Sequence, residues 1–406
     1  MHPDNDQSPE GLAGGSLESR LEALGALCAG LPSRGRRGTN LHIHTNESFS
    51  VFRSPGEAVY QAAREGLAVL GINDHYTVAG HGEFREACRT AGIRATFSLE
   101  AVAMDRSAER EGVLLNDPDN PGRVYLCGKG VTRHPADDSE AGSRLAALRS
   151  AIASRSREMT GKVAGLCRER LGAEGPAWEA VLALTPRGNV TERHVAKATL
   201  QRLGALAADR SEALPALVER LCGAEPPAGT ADAALQNFLR SKLLKAGAPG
   251  FVSESEDAFL SLEDMRALFL AYGAIPTYPV LGNPMTGGER DVERLLDRLE
   301  GMGIFAIEVI PTRNTRERLS EIVAAARRRW WPVFNGTEHN TPEAKPMLDP
   351  FALHPEFEPH FTESAAVLLG HQARAARGEP GFVDAQGRPT VADARERFEL
   401  FREAGK

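Results

Sequence analysis

Short apolar runs that end in a histidine or a carboxylate recur along this chain, and they restrict its fold more than any other feature. Leu67-Ala68-Val69-Leu70-Gly71-Ile72-Asn73 leads into Asp74-His75, and Ala95-Thr96-Phe97-Ser98-Leu99 leads into Glu100. Ala306-Ile307-Glu308-Val309-Ile310 carries its own carboxylate, and Trp331-Pro332-Val333-Phe334 runs into Asn335-Gly336-Thr337-Glu338-His339-Asn340. Runs of this length, apolar on both faces, read as buried strands of a parallel sheet covered by helices. In a parallel α/β barrel the functional groups sit where the strands end, so these ends would converge on one site.

Thr39-Asn40-Leu41-His42-Ile43-His44-Thr45 adds the metal chemistry. Successive side chains of a strand point to opposite faces, so His42 and His44 share one face and Leu41 and Ile43 the other. Two imidazoles about 7 Å apart along the backbone supply half a coordination shell for a divalent ion.

The remaining sequence sets bounds. The 406 residues, 42% of them hydrophobic, suffice for one large α/β domain or two modest ones. With 48 basic against 55 acidic side chains the net charge is -7, which argues against an extended nucleic-acid surface. Five cysteines stand far apart without a CxxC pair, so neither a zinc ribbon nor a disulfide framework is expected. No apolar run reaches membrane-spanning length, and a soluble cytoplasmic protein is the expectation, its oligomeric state open.

Residues 1 to 16 are polar and read as disordered, and Leu17, Leu21, Leu24 and Leu27 recur at helical spacing, so residues 1–38 form a disordered start and a leading helix. Leu145, Leu148, Ile152, Met159, Val163 and Leu166 mark one face of a long helix, the first of several between residues 139 and 249. This stripe is core packing. The organisation read from these patterns is a first barrel half at 39–138, a helical insertion at 139–249, a second half at 250–340, and a C-terminal extension at 341–406 with a Pro-rich loop and a final helix. No internal repeat is found.

Taken in order, Leu41-His42-Ile43-His44-Thr45, Gly71-Ile72-Asn73-Asp74-His75, Glu100, Arg193-His194, the stretch Ser241 to Val252, and Gly336-Thr337-Glu338-His339 resemble the PHP superfamily, named for polymerase and histidinol phosphatase. The resemblance covers roughly residues 39 to 340, and its subgroup is the PHP phosphoesterases with a helical insertion. It implies a distorted (β/α)7 TIM-like barrel with a di- or trinuclear Mn, Fe, Zn or Mg site at the strand ends. It also implies His42, His44, His75, Glu100, His194, Glu338 and His339 as metal ligands.

Several positions depart from the family pattern. Tyr125 and Tyr278 stand where relatives carry histidines, Phe49 stands near the place of an acidic residue, and either Asn340 or a shifted His339 takes the place of the last histidine. A phenol with pKa near 10 is a poor ligand for these ions, so one or two ions per chain are expected. Tyr125 and Tyr278 either donate hydrogen bonds to a leaving oxygen or fill lost metal positions. Asp74 is grouped with them as the acceptor that orients a histidine N–H. Arg193 and Lys129 are the cations expected to meet a substrate phosphate, with Asn340 beside them. The function expected is metal-assisted hydrolysis of a small phosphorylated metabolite or nucleotide. The alternative is a degenerate barrel that keeps the fold as a metal- or ligand-binding scaffold.

Overall fold

Eight strands make one sheet: β1 (Arg37–Ile43), β2 (Leu67–His75), β3 (Arg94–Met104), β4 (Arg123–Lys129), β5 (Leu260–Ser261), β6 (Ile275–Val280), β7 (Ile307–Val309) and β8 (Val333–Asn335). The computed structural model describes residues 11–32, 35–227, 231–282 and 284–406. The strand order is β1-β2-β3-β4-β6-β7-β8, with β5 beside β3. The ends of the sheet meet. Ile43 and Glu338 form a parallel bridge, the His44 N–H reaches the Glu338 carbonyl at 2.7 Å, and Asn335 Nδ2 donates to the Thr39 carbonyl at 2.6 Å. The result is a nearly closed barrel.

One strand breaks the expected parallel pattern, for β4 runs antiparallel to both β3 and β6. β3 is also longer than the apolar run suggests, so Glu100 lies inside the strand rather than at its end. Its neighbours across the sheet are His75 on β2 and Cys127 on β4. The next row down carries Asn73, Ser98, Lys129 and Ile275. The barrel interior is therefore largely polar through both rows, above an apolar floor.

The alternation expected of β1 is interrupted. Between Asn40 and Ile43 two residues of β1, Leu41 and His42, face one of β2, Gly71, a bulge that turns consecutive side chains the same way. Leu41 then packs with Val69, Ile275 and Phe334 at the floor, while Ile43 joins the outer core around Leu70 and Ile72. His42 points inward above Leu41, towards Asn73 and Glu308.

Helices cover the outside, and their ends follow local chemistry. In the helix Pro55–Glu65, Ser54 accepts from the Glu57 N–H at 3.1 Å, Pro55 supplies a pre-set φ in the first turn, and Gly66 ends the helix at φ +76°. Between β4 and β5 the helices Glu140–Leu171, Trp178–Leu182, Glu192–Arg210, Leu214–Cys222 and Asp232–Leu239 build a second core. The 32-residue helix Glu140–Leu171 joins the two cores: Leu145 and Leu148 pack on the barrel, Met159 and Val163 in the helical region. The C-terminal extension holds two helices of its own, Glu358–Ala376 and Ala394–Ala404, where one was expected; Leu368 and Phe401 close the barrel floor. Of residues 1 to 16, expected to be disordered, the first ten lie outside the described residues, whereas Leu12 is buried and Ser16 caps the leading helix Leu17–Ala29. Among the described residues no helix is long and apolar enough to cross a membrane.

Candidate metal centre

One oxygen organises the centre. Glu100 Oε2 lies 3.4 Å from His42 Nε2, 3.2 Å from His44 Nε2 and 3.4 Å from His75 Nδ1. His42 Nε2 and His44 Nε2 face each other at 3.0 Å. Glu100, His42 and His44 are buried, and both Glu100 Oε2 and His75 Nδ1 lack a hydrogen-bond partner. Desolvated donors left unpaired cost free energy, and two facing imidazole nitrogens need a proton or a cation between them. Nitrogen and carboxylate oxygen suit zinc, manganese or iron, so these residues fit a divalent ion.

The charges of the metal-free site agree. Burial pushes the Glu100 carboxyl up, but His75, His42 and His44 outweigh it and hold the group well below the usual range. Burial and the neighbouring His75 drive His44 down to about 3, leaving its lone pair free. Burial works to lower His42 too, yet the Glu308 carboxylate beside its Nδ1 prevails and raises it to about 9. A metal taking His42 Nε2 must therefore displace a proton.

The supporting residues are as well placed. Asp74 Oδ1 accepts from the Thr45 N–H at 2.7 Å and the Ser48 hydroxyl at 2.6 Å, and Ser48 Oγ lies 3.2 Å from His44 Nδ1. Asp74 thus acts on His44 through Ser48. Behind His42, Glu308 bonds Nδ1 and pairs with Lys129, whose ammonium also donates to the Leu41 carbonyl at 3.0 Å. Asn73 Nδ2 stands 3.0 Å from His42 Nε2 and 3.4 Å from Cys127 Sγ. Sequence reading passes over Asn73, Cys127 and Glu308, although Glu308 was visible as a carboxylate inside an apolar strand.

Other expected site residues have different side-chain partners. Glu338 is held by Arg313 through both guanidinium nitrogens, and it is not among the donors gathered at Glu100. Glu338 and His339 both have left-handed backbones, φ +66° and +58°, a strain typical of functional loops. His339 turns away from the centre, with Nδ1 2.8 Å from Thr337 Oγ1 and Nε2 3.0 Å from the Lys345 carbonyl. His194 accepts the Thr191 N–H on Nδ1 at 3.0 Å, and the Phe49 ring meets it edge-on at 5.0 Å. It lines a separate cavity of 330 Å³ with Lys197.

Two further expectations need correction. Glu308 and Pro279 are paired across the sheet with Glu308 inward, so Tyr278 faces outward, where its hydroxyl donates to Glu289 at 3.2 Å. It does not line the cavity that His75 and Tyr125 share. Lys129 was expected to meet a substrate phosphate, but it is fully buried in β4 and paired with Glu308.

Above the centre opens a cavity of 620 Å³ that His75, Tyr125, Arg193 and Asn340 line. Of the two candidates for the last position, Asn340 faces this cavity and His339 does not. Arg240, Lys245, Arg155 and Arg123 also line it, each paired with Glu192 or Glu254. Arg193 has no ion-pair partner among the described residues, and lies 5.9 Å from the Phe49 ring. Burial, reinforced by Arg240, lowers its pKa to about 10. A half-buried guanidinium without a carboxylate is available to an anion.

Neither a protein-family model nor a curated protein sequence matches this chain. Solved structures do. A candidate metal-dependent phosphoesterase from Bifidobacterium adolescentis is 19% identical, with a TM-score of 0.52 over 80% of this chain and 97% of that one. An amidohydrolase from Chromobacterium violaceum, solved with sulfate and no metal, is 18% identical, with a TM-score of 0.50 over 79% of this chain and 95% of that one. At such identity the likeness is one of fold.

Proposed function

We propose that this protein is a metal-dependent phosphoesterase that hydrolyses a small phosphorylated metabolite or nucleotide. The observation that carries the reading is Glu100 Oε2, buried and unpartnered among three imidazole nitrogens beneath a cavity lined by cations. His42, His44, His75 and Glu100 would hold one ion, with room for a second only if a further donor moves in. An ion held there would lower the pKa of a bound water to about 7 and would screen phosphoryl charge.

The chain's own groups do the rest. Arg193 grips the substrate phosphate, Asn340 offers an amide beside it, and the Tyr125 phenol stays protonated because burial, with Asp117 and Glu100, raises its pKa. A protonated phenol at the cavity wall donates a hydrogen bond to an oxygen, whether of substrate or leaving group. Asp74, through Ser48, keeps His44 oriented. The five free cysteines accord with a reducing compartment such as the cytoplasm.

A scaffold without hydrolytic activity is the second reading, favoured by Phe49 and by the separate placement of His194. Metal content of the purified protein, followed by assays on nucleotides, sugar phosphates and a chromogenic phosphodiester with Mn and with Zn, separates the two. Hydrolysis abolished by chelation and restored by metal supports the phosphoesterase. No bound ion and no turnover under either metal would leave the scaffold.

A further inference from the structure

Beneath Glu100 lies a second set of donors. A ring nitrogen of His42, Cys127 Sγ and a Glu308 oxygen all fall within 4.8 Å of one another, and all three residues are buried. Nitrogen, sulfur and carboxylate oxygen together form a set that zinc or cadmium would take. This set shares His42 with the upper one, and a single ring offers one nitrogen to each.

The deep set already has a cation beside it. Lys129 lies two residues after Cys127 on the same face of β4, is fully buried, and sets its ammonium against Glu308 Oε2 with the Leu41 carbonyl at 3.0 Å. Glu308 Oε2 makes no geometric hydrogen bond, and the Lys129 ammonium is its ion-pair partner. The other, Oε1, holds His42 Nδ1. A divalent ion entering here would lose one carboxylate oxygen and face a buried ammonium of like sign.

Building on the proposed metal at Glu100, we propose that Lys129 is the internal cation of this barrel: it takes the place of an ion at the His42, Cys127 and Glu308 set and, through Glu308, holds the His42 ring so that Nε2 faces Glu100. Lys129 and Glu308 are thus positioning residues. Lys129 balances the Glu308 charge in the deep set, while Glu100 Oε2 above it faces imidazole nitrogens. Metal is directed upward, to the cavity where substrate enters. The arrangement depends on three residues from three strands, β1, β4 and β7, which is why no single motif displays it.

Cadmium titration of the metal-stripped full chain tests this, because a thiolate bound to cadmium gives a charge-transfer band in the ultraviolet. Wild type is expected to show no such band. Lys129→Met, which keeps the bulk of the stem and frees Glu308, is expected to bind one more cadmium than wild type and to show the band, and adding Cys127→Ser should remove it. A thiolate band in wild type would overturn the proposal, as would a folded Lys129→Met without one. Should that variant not fold, NMR of wild type with isotope-labelled histidine decides: cadmium coupling to His42 Nε2 with the proton on Nδ1 is expected, and coupling to Nδ1 overturns it. If wild type binds no cadmium while Lys129→Met gains a thiolate-bound ion, the role of Lys129 stands and the metal at Glu100 fails.

Discussion

Asp74 illustrates how much of this centre rests on groups that touch no metal. Its carboxylate takes the Ser48 hydroxyl and the Thr45 N–H, and Ser48 in turn stands at His44 Nδ1. Partners of this kind commonly contribute about 10–100-fold in metal affinity. Asp74→Asn keeps the volume but sets an amide against those donors, and a loss of that size is expected in chelator competition; affinity equal to wild type would remove Asp74 from the centre. At the cavity, Arg193→Ala should leave metal content unchanged, since a guanidinium is no ligand. Loss of a contact made equally in ground and transition states raises KM and leaves kcat nearly unchanged. Steady-state kinetics on the best substrate measure both constants, and a fall in kcat at constant KM would give Arg193 a different role.

Among the elements, β1 and the turn after β8 depend on each other most closely. Gly336 lies so near β1 that a Cβ there would sit 2.2 Å from His42 Cβ and 3.0 Å from His42 Cα. The contact is with backbone and the root of a side chain, so no rotamer change relieves it. Gly336→Ala is expected to destabilise the protein by about 1–3 kcal/mol, the usual cost of overpacking, and to weaken metal binding because His42 must move. Urea unfolding and chelator competition read the two effects; stability lost without any change in affinity would show that β1 yields elsewhere. The bulge in the same strand has a further consequence, since it lets Leu41 seal the floor while the adjacent His42 reaches the centre.

For the whole molecule, buried histidines away from the centre, His371 and His81 among them, couple stability to pH. His371 lies beneath the barrel with Nε2 3.0 Å from the Gly130 carbonyl and 2.9 Å from that of Gly273, and burial lowers its pKa to about 4. Burial likewise lowers His81, bonded to the Ser98 carbonyl at 3.0 Å, to about 3. In the unfolded chain both return to about 6.5, so below that pH the unfolded state binds more protons and stability falls as pH falls. Each contributes a slope of about 1.4 kcal/mol per pH unit between roughly pH 6.5 and its folded value. Asp74, raised by burial to about 6, works in the opposite sense between about pH 4 and 6 and offsets part of the loss. Urea midpoints of the metal-free protein at descending pH should therefore decline, and His371→Gln should flatten the decline by about one histidine's share. A slope unaltered by that substitution would mean that His371 is protonated in the fold.

What the residue pattern determined by itself was local: apolar runs of strand length, the alternation that pairs His42 with His44, the carboxylate of Glu100, and the long helical stripe that spans Leu145 to Leu166. Such features depend on neighbours two to four positions away, and sequence displays those directly. The tertiary structure alone decided which strand ends meet and which way each side chain turns. A one-residue bulge reset β1, the antiparallel β4 brought Cys127 and Lys129 inward, and pairing of β6 with β7 turned Tyr278 outward. It also gave Glu338 to Arg313 and His194 to Thr191, and joined Lys129 to Glu308 across the barrel. Strand direction and register depend on residues tens to hundreds of positions apart, and a period of two turns every side chain over when the register slips by one.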